Sequence, residues 1–291
     1  MRATEFISKQ VLGETAEENQ ELNALSGLAI NYIIDYWKKY SSANRNWIIS
    51  TRQAAKEQGK STELMPLASL GGIPGLPQFK SQGILMLLKF YSIAVFYIDN
   101  APYKVAYEFE GAPAGYCDSN RRLIAINENQ LDDPRYLSEI FAHEAQHAID
   151  DLKSRKGLTT KSDYIDADLS GPGAALSAKN KIKGPVIAPT AKSKFISYLQ
   201  LPDEVNARFT EVLQQLTNEI ANVPDYLYAP SSLVTLIKTV FSKHYMDDAF
   251  PNGVNDPAYK RLMSRTYKFL DAQKQLVVHG NKPDLEPTAV L

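Results

Sequence analysis

The stretch Phe141-Ala142-His143-Glu144-Ala145-Gln146-His147-Ala148-Ile149-Asp150 decides how the rest of this chain is read. Its two histidines stand four residues apart. In a helix that spacing puts both on one face, so two imidazoles can grip one metal ion. Glu144 directly follows the first histidine, placed to take a proton from a water rather than to bind the metal itself. The chain has four histidines, and two are here. At about 100° per residue, His143, His147 and Asp150 fall within roughly 60° of one another. Leu137, Phe141, Ala145, Ala148, Ile149 and Leu152 gather on the opposite side. The pattern predicts a two-faced helix, with metal chemistry on one face and a core against the other.

Upstream the pattern changes from helix to strand. Ser92 to Ile98 is rich in β-branched and aromatic residues and reads as a strand. Val105, Tyr107 and Phe109 alternate with Lys104, Ala106 and Glu108, the period of a half-buried strand. Tyr116-Cys117, a turn at Asp118-Ser119-Asn120, and Arg122 to Asn127 suggest a hairpin. Asp132-Asp133-Pro134 then supplies a helix start.

Both flanks are read as helical. Leu22, Leu25, Ala29, Ile33 and Trp37 predict a helix from Thr15 to about Tyr40, with Thr15 and Glu18 as a capping box, and a second helix covers Asn46 to Gln58. Glycines and prolines between Leu67 and Pro77 mark a loop, and a short helix is expected over 81–89. Downstream, a helix is expected from Lys194 to Ala221, with Val205, Phe209, Val212, Leu213, Leu216 and Ile220 as its apolar stripe. Further helices are expected from Ser231 to Met246 and from Pro257 to about Leu276, with a frayed tail after them. Residues 152–194 carry nine basic residues against three aspartates, and Gly171-Pro172-Gly173 and Gly184-Pro185 forbid a continuous helix. They read as a solvated surface insertion, or as a flap or dock beside a cleft. The organisation expected is an N-terminal helical region over 1–80, standing apart or sharing the same domain. A domain over 81–280 bears the insertion, and a tail covers 281–291.

At 291 residues, 44% apolar and 22% charged, the chain suits a soluble globular protein. A net charge of −1 argues against a nucleic-acid partner or an acidic membrane surface. One cysteine, Cys117, excludes an intramolecular disulfide and a cysteine-rich zinc site. No signal peptide or transmembrane run is visible, so a cytoplasmic protein is expected.

Strands, a hairpin ending Ile124-Ala125-Ile126-Asn127, and a helix bearing His143-Glu144-Ala145-Gln146-His147 together resemble the core of a zincin metallopeptidase. The resemblance covers roughly residues 90 to 220. It implies an α+β fold, mostly helical, with a small twisted sheet packed on the H-E-x-x-H helix. An edge strand would bind substrate backbone by strand addition. It also implies a Zn²⁺ cofactor and hydrolysis of a peptide or protein substrate, as an endopeptidase rather than an exopeptidase. Residues 1–13 resemble the openings of proteins from large tailed phages, which implies a phage source and association with a virion.

A catalytic zinc needs three protein ligands and an open position. In one zincin branch the third lies six residues after the second histidine, but Lys153 stands there and cannot serve. Leu201-Pro202-Asp203-Glu204-Val205-Asn206-Ala207-Arg208 resembles the E-x-x-A-R segment of glutamate-type zincins, which implies Glu204 as third ligand. Asp203, Glu211, Asp163, Asp166 and Asp168 are the alternatives. Ala207 would let the two helices approach, and Arg208 would steady the carboxylate. Asp150, or else Glu139, is expected to take the other N–H of a ligating histidine. His244 and Tyr245, then Tyr198 and Tyr228, are candidate donors to a developing oxyanion. His279 reads as inert. The rival expectation is a non-catalytic zincin-like protein, a binding or sensing module or a phage structural component, in which zinc holds two helices together.

Overall fold

A polar seam between two antiparallel helices organises the molecule, and each helix turns its apolar side to a different core. The computed structural model describes residues 3–75, 88–98, 113–155, 199, 202–250 and 252–278. The strand expected at 104–109, nearly all of the basic insertion and the C-terminal tail lie outside these residues.

The chain begins with α1 (Ala3–Ala43) and α2 (Arg45–Gln58). α1 starts before Thr15, which therefore stands inside the helix and not at its cap. No proline between Ala3 and Thr15 prevents the earlier start. Two short strands follow, β1 (Thr62–Glu63) and β2 (Ala68–Ser69). Both pair antiparallel with β3 (Ser92–Tyr97), one after the other along the same edge. β3 pairs parallel with β5 (Leu123–Asn127), and β4 (Gly115–Asp118) closes the order antiparallel to β5. The result is a mostly helical α+β fold with a small mixed sheet of five strands.

β3 and β5 are covered on both faces, and their side chains divide with period two. Ile93, Val95, Ile124 and Ile126 join the core shared with α1, while Ala94, Phe96, Leu123 and Ala125 pack on the other side. The β4–β5 turn is fixed by Asp118, whose Oδ1 accepts from the backbone N–H of Asn120 and Arg121, both at 3.1 Å.

The expected two-faced helix is α3 (Pro134–Arg155). Asp133 Oδ1 caps it by accepting from the N–H of Arg135 and Tyr136, worth about 1 kcal/mol. Leu137, Phe141, Ala145, Ala148 and Ile149 are buried in the first core with Leu22, Leu25, Ala29 and Ile33 of α1. The N-terminal helix therefore shares a core with the sheet and α3.

The second core belongs to α4 (Pro202–Asn222), α5 (Pro230–Lys243) and α6 (Pro257–Val278). Val205, Phe209, Val212, Leu213, Leu216 and Ile220 of α4 pack there on Ile237, Val240 and Phe241 of α5, as their spacing predicts. α5 ends at Lys243 rather than Met246, and Tyr245 beyond it has a left-handed φ of 58°.

Where α3 meets α4 the contacts are polar. Thr210 Oγ1 donates to Gln146 Oε1 at 3.1 Å, and Asn218 Nδ2 donates to Ser138 Oγ at 3.1 Å. Arg135 Nη2 donates to Asn222 Oδ1, also at 3.1 Å. As one residue number falls the other rises, so the helices run antiparallel. Buried polar groups must find partners or destabilise the fold, and this seam supplies them in register.

Candidate metal centre

His143 and His147 project from α3 into the seam, and their Nε2 atoms face each other at 3.2 Å. Glu204 arrives from the first turn of α4. Its Oε1 lies 3.4 Å from His147 Nε2 and its Oε2 lies 3.8 Å from His143 Nε2. Three donor atoms thus converge from two helices. In a tetrahedral site with metal–ligand distances of about 2.0–2.1 Å, donors stand about 3.3 Å apart. The spacing fits an ion of that kind. The histidine side chains keep 13% and 19% exposure, so the site remains reachable from solvent, while that of Glu204 keeps 7%. These residues can hold a metal ion.

Packing explains how Glu204 reaches so far. Ala207 is fully buried and lies three residues from both Glu204 and Thr210, which meet side chains of α3. Arg208 Nε stands 4.0 Å from Glu204 Oε2, one turn further along the same helix. Its guanidinium also lies 5.9 Å from the centre of the Tyr245 ring, which is 44% exposed.

Glu144 leaves α3 toward the sheet. It is buried, and a Cβ added to Gly115 of β4 would lie 3.1 Å from Glu144 Cγ and 2.8 Å from Ile140 Cγ2. Only glycine lets the strand pass this close. Burial raises the Glu144 carboxyl above its usual range, and the neighbouring histidines offset this only in part. Cys117 on the same strand is pushed up to about 12 by burial and by Glu144, so it stays a thiol.

A second cluster lies on the inner side of His143. Glu211 Oε2 stands 3.3 Å from His143 Nδ1 and 3.4 Å from His244 Nδ1. His244 Nε2 lies 2.7 Å from Gln215 Oε1, which also accepts from Lys243 Nζ at 3.0 Å. Lys243 Nζ is 3.6 Å from Glu139 Oε2. Glu139, Glu211 and His244 are all buried, with 4%, 8% and 4% exposure, and could also bracket an ion. Burial works to raise the Glu211 carboxyl, but the His143 and His244 rings beside it outweigh this and hold Glu211 well below the usual carboxylate range. Glu139 is raised by burial, with Lys243 and His244 compensating incompletely.

Several expectations change here. His244 is not available to a substrate oxygen, because it is buried and its two ring nitrogens face Gln215 and Glu211. Glu211, held in reserve as a third ligand, faces the far nitrogen of His143 while Glu204 occupies the near side. Asp150 keeps its place one turn beyond His147, with its Oδ1 accepting from Gln146 Nε2 at 2.8 Å, while the carboxylate near His143 Nδ1 is Glu211. Tyr228 is 52% exposed and packs under Lys274 Nζ at 4.9 Å. Tyr198, His279, Asp163, Asp166 and Asp168 lie outside the described residues, and the side chain of Asp203 is also undescribed. Sequence reasoning missed Gln215 and Lys243. The signal was present: Glu204, Arg208, Glu211 and Gln215 recur at spacings of four, three and four, a polar stripe along α4.

No family model, curated protein or solved structure matches the chain. No helix among the described residues is long and apolar enough to cross a membrane.

Proposed function

We propose that this chain is a zinc-dependent metallopeptidase, with His143, His147 and Glu204 as ligands and Glu144 as general base. The observation that carries the reading is three donor atoms converging within 3.2–3.8 Å at a solvent-reachable point on a helix whose next residue is a buried carboxylate. Zinc, when bound, would polarise a scissile carbonyl and ease deprotonation of a water. Glu144 takes the proton from the attacking water and passes it to the leaving amine. β4 is the last strand of the sheet among the described residues, and Gly115 sets it against Glu144. A substrate segment added beside β4 would run past the base. Tyr245 is the remaining described candidate for an oxyanion donor among those named first, on the Arg208 side of Glu204.

The test is Glu144→Gln in the full chain, assayed for zinc content and for cleavage of a peptide library. Zinc should stay stoichiometric while turnover falls by about 10²–10⁴-fold. Undiminished cleavage by the zinc-loaded variant would refute the assigned base. The position of the site between two cores favours one further reading, an ion that staples α3 to α4 without catalysis. Stoichiometric zinc in the wild type with no cleavage of any substrate would favour it.

A further inference from the structure

We propose that Glu211 and His244 are positioning residues that hold His143 as a metal ligand, so that docking of α5 on α4 is transmitted to the metal site. The inference rests on the metal-binding reading above. A ligating imidazole gives one nitrogen to the ion, and its other N–H needs an acceptor that fixes tautomer and ring orientation. His143 Nε2 is the atom beside His147 and Glu204, and Nδ1 faces Glu211 at 3.3 Å. Glu211 is the carboxylate that stands nearest this buried nitrogen, and an Nδ1–H given to it would leave the Nε2 lone pair toward the ion. Glu204 and Glu211 stand two turns apart on α4, so one helix face supplies both a ligand and the group that orients another.

Glu211 is itself held. His244 Nδ1 lies 3.4 Å from the same oxygen, and His244 Nε2 is fixed on Gln215 Oε1 at 2.7 Å. The amide orientation of Gln215 is not ambiguous. Lys243 Nζ meets the same atom at 3.0 Å, and an ammonium can only donate. The chain of contacts runs from the end of α5, through Gln215 and Glu211 of α4, to His143 of α3. The rival role, a second metal site at Glu139, Glu211 and His244, is less favoured because Lys243 already brings a positive charge to 3.6 Å from Glu139.

The experiment is a zinc competition titration of the full chain, with visible spectra of the cobalt-loaded forms. The wild type should bind one zinc per chain. Glu211→Gln should bind it about 10–100-fold more weakly. His244→Leu should show a loss in the same direction, and His244→Gln, whose side-chain amide can donate to Glu211, should recover part of it. The cobalt ligand-field bands should shift in Glu211→Gln and His244→Leu, a change that mere loosening of the core would not produce. Should Glu211→Gln fail to fold, the two His244 variants carry the test. Equal zinc affinity and unchanged cobalt spectra in all variants would overturn the proposal while leaving zinc binding intact. Two zinc ions in the wild type, one lost in Glu211→Gln, would overturn it in favour of a second metal site. No zinc in the wild type would remove the metal-binding reading itself.

Discussion

His143, His147 and Glu204 use the same side-chain chemistry as Glu139, Glu211 and His244 in the same seam, yet the donors of the two clusters are differently engaged. In the outer cluster two imidazole nitrogens point at each other and at a carboxylate, and solvent reaches both rings. Two neutral rings gain little from that arrangement, whereas a cation gains three ligands. In the inner cluster both nitrogens of the histidine face protein groups, and a lysine meets one of the acids. Residue type alone does not make a metal site. What decides is whether the donors are turned toward each other or already engaged by their neighbours.

Exchanging the two clusters' acids gives the largest contrast. Glu204→Gln should weaken zinc binding by more than the roughly 100-fold expected for an orienting residue, and cleavage should fall to background. Glu139→Gln should leave zinc affinity unchanged, which a competition titration of both variants would show. If Glu139→Gln lost zinc as severely as Glu204→Gln, the division into outer and inner roles would be wrong.

Metal removal should come next in size. An ion held by α3 and α4 together binds the folded chain far better than the unfolded one. At zinc 100-fold above its dissociation constant this stabilises by about 2.7 kcal/mol, and chelation should lower Tm by roughly 5–10 °C. Thermal melts with and without chelator would measure it. An unchanged Tm with zinc demonstrably bound would mean that the ion does not join the two cores.

Gly115→Ala sharpens the outer cluster from the sheet side. The new methyl must push Ile140, Glu144 or the Ala125 carbonyl, whose oxygen would lie 3.1 Å away. Displacing the base should reduce kcat by about 10–100-fold with zinc affinity intact. Steady-state kinetics beside a zinc titration would separate the two effects.

The smallest effect concerns Glu139 and pH. Its carboxyl is raised by burial, so above the ordinary value of about 4.3 the folded chain holds more protons than the unfolded one. Its contribution to stability therefore falls as pH rises through that window. Glu139→Gln removes this dependence, so the metal-free variant should show a flatter pH–stability curve than the wild type. Denaturant titrations across the acidic to neutral range would show the difference, and an identical slope would discount the burial of Glu139.

Much of this architecture was legible in advance, for identifiable reasons. Helices α3 and α4 announce their apolar faces at three- and four-residue spacing, and Leu137, Phe141, Val212 and Leu216 are buried as that spacing requires. Glu204 was reached through its sequence neighbourhood, and the structure brings it to both histidines. β1 and β2 escaped because two-residue strands carry no period to detect. They exist through pairing with β3, a tertiary cause. The start of α1 was set too late because Thr15 and Glu18 imitate a cap in a helix that continues past them. His244 was assigned to the wrong side of the site because sequence gives no direction for a side chain at a helix end. The pairing of Glu211 with His143 depended on the register of two helices, which only the folded chain reveals.

Zinc-edge X-ray absorption of the zinc-loaded full chain, with metal counted per chain, tests the central claim most directly. The account predicts one ion bound by two imidazoles and a carboxylate oxygen at about 2.0–2.1 Å, with the carboxylate lost in Glu204→Gln. An unloaded chain, or a spectrum indifferent to Glu204→Gln, would contradict it.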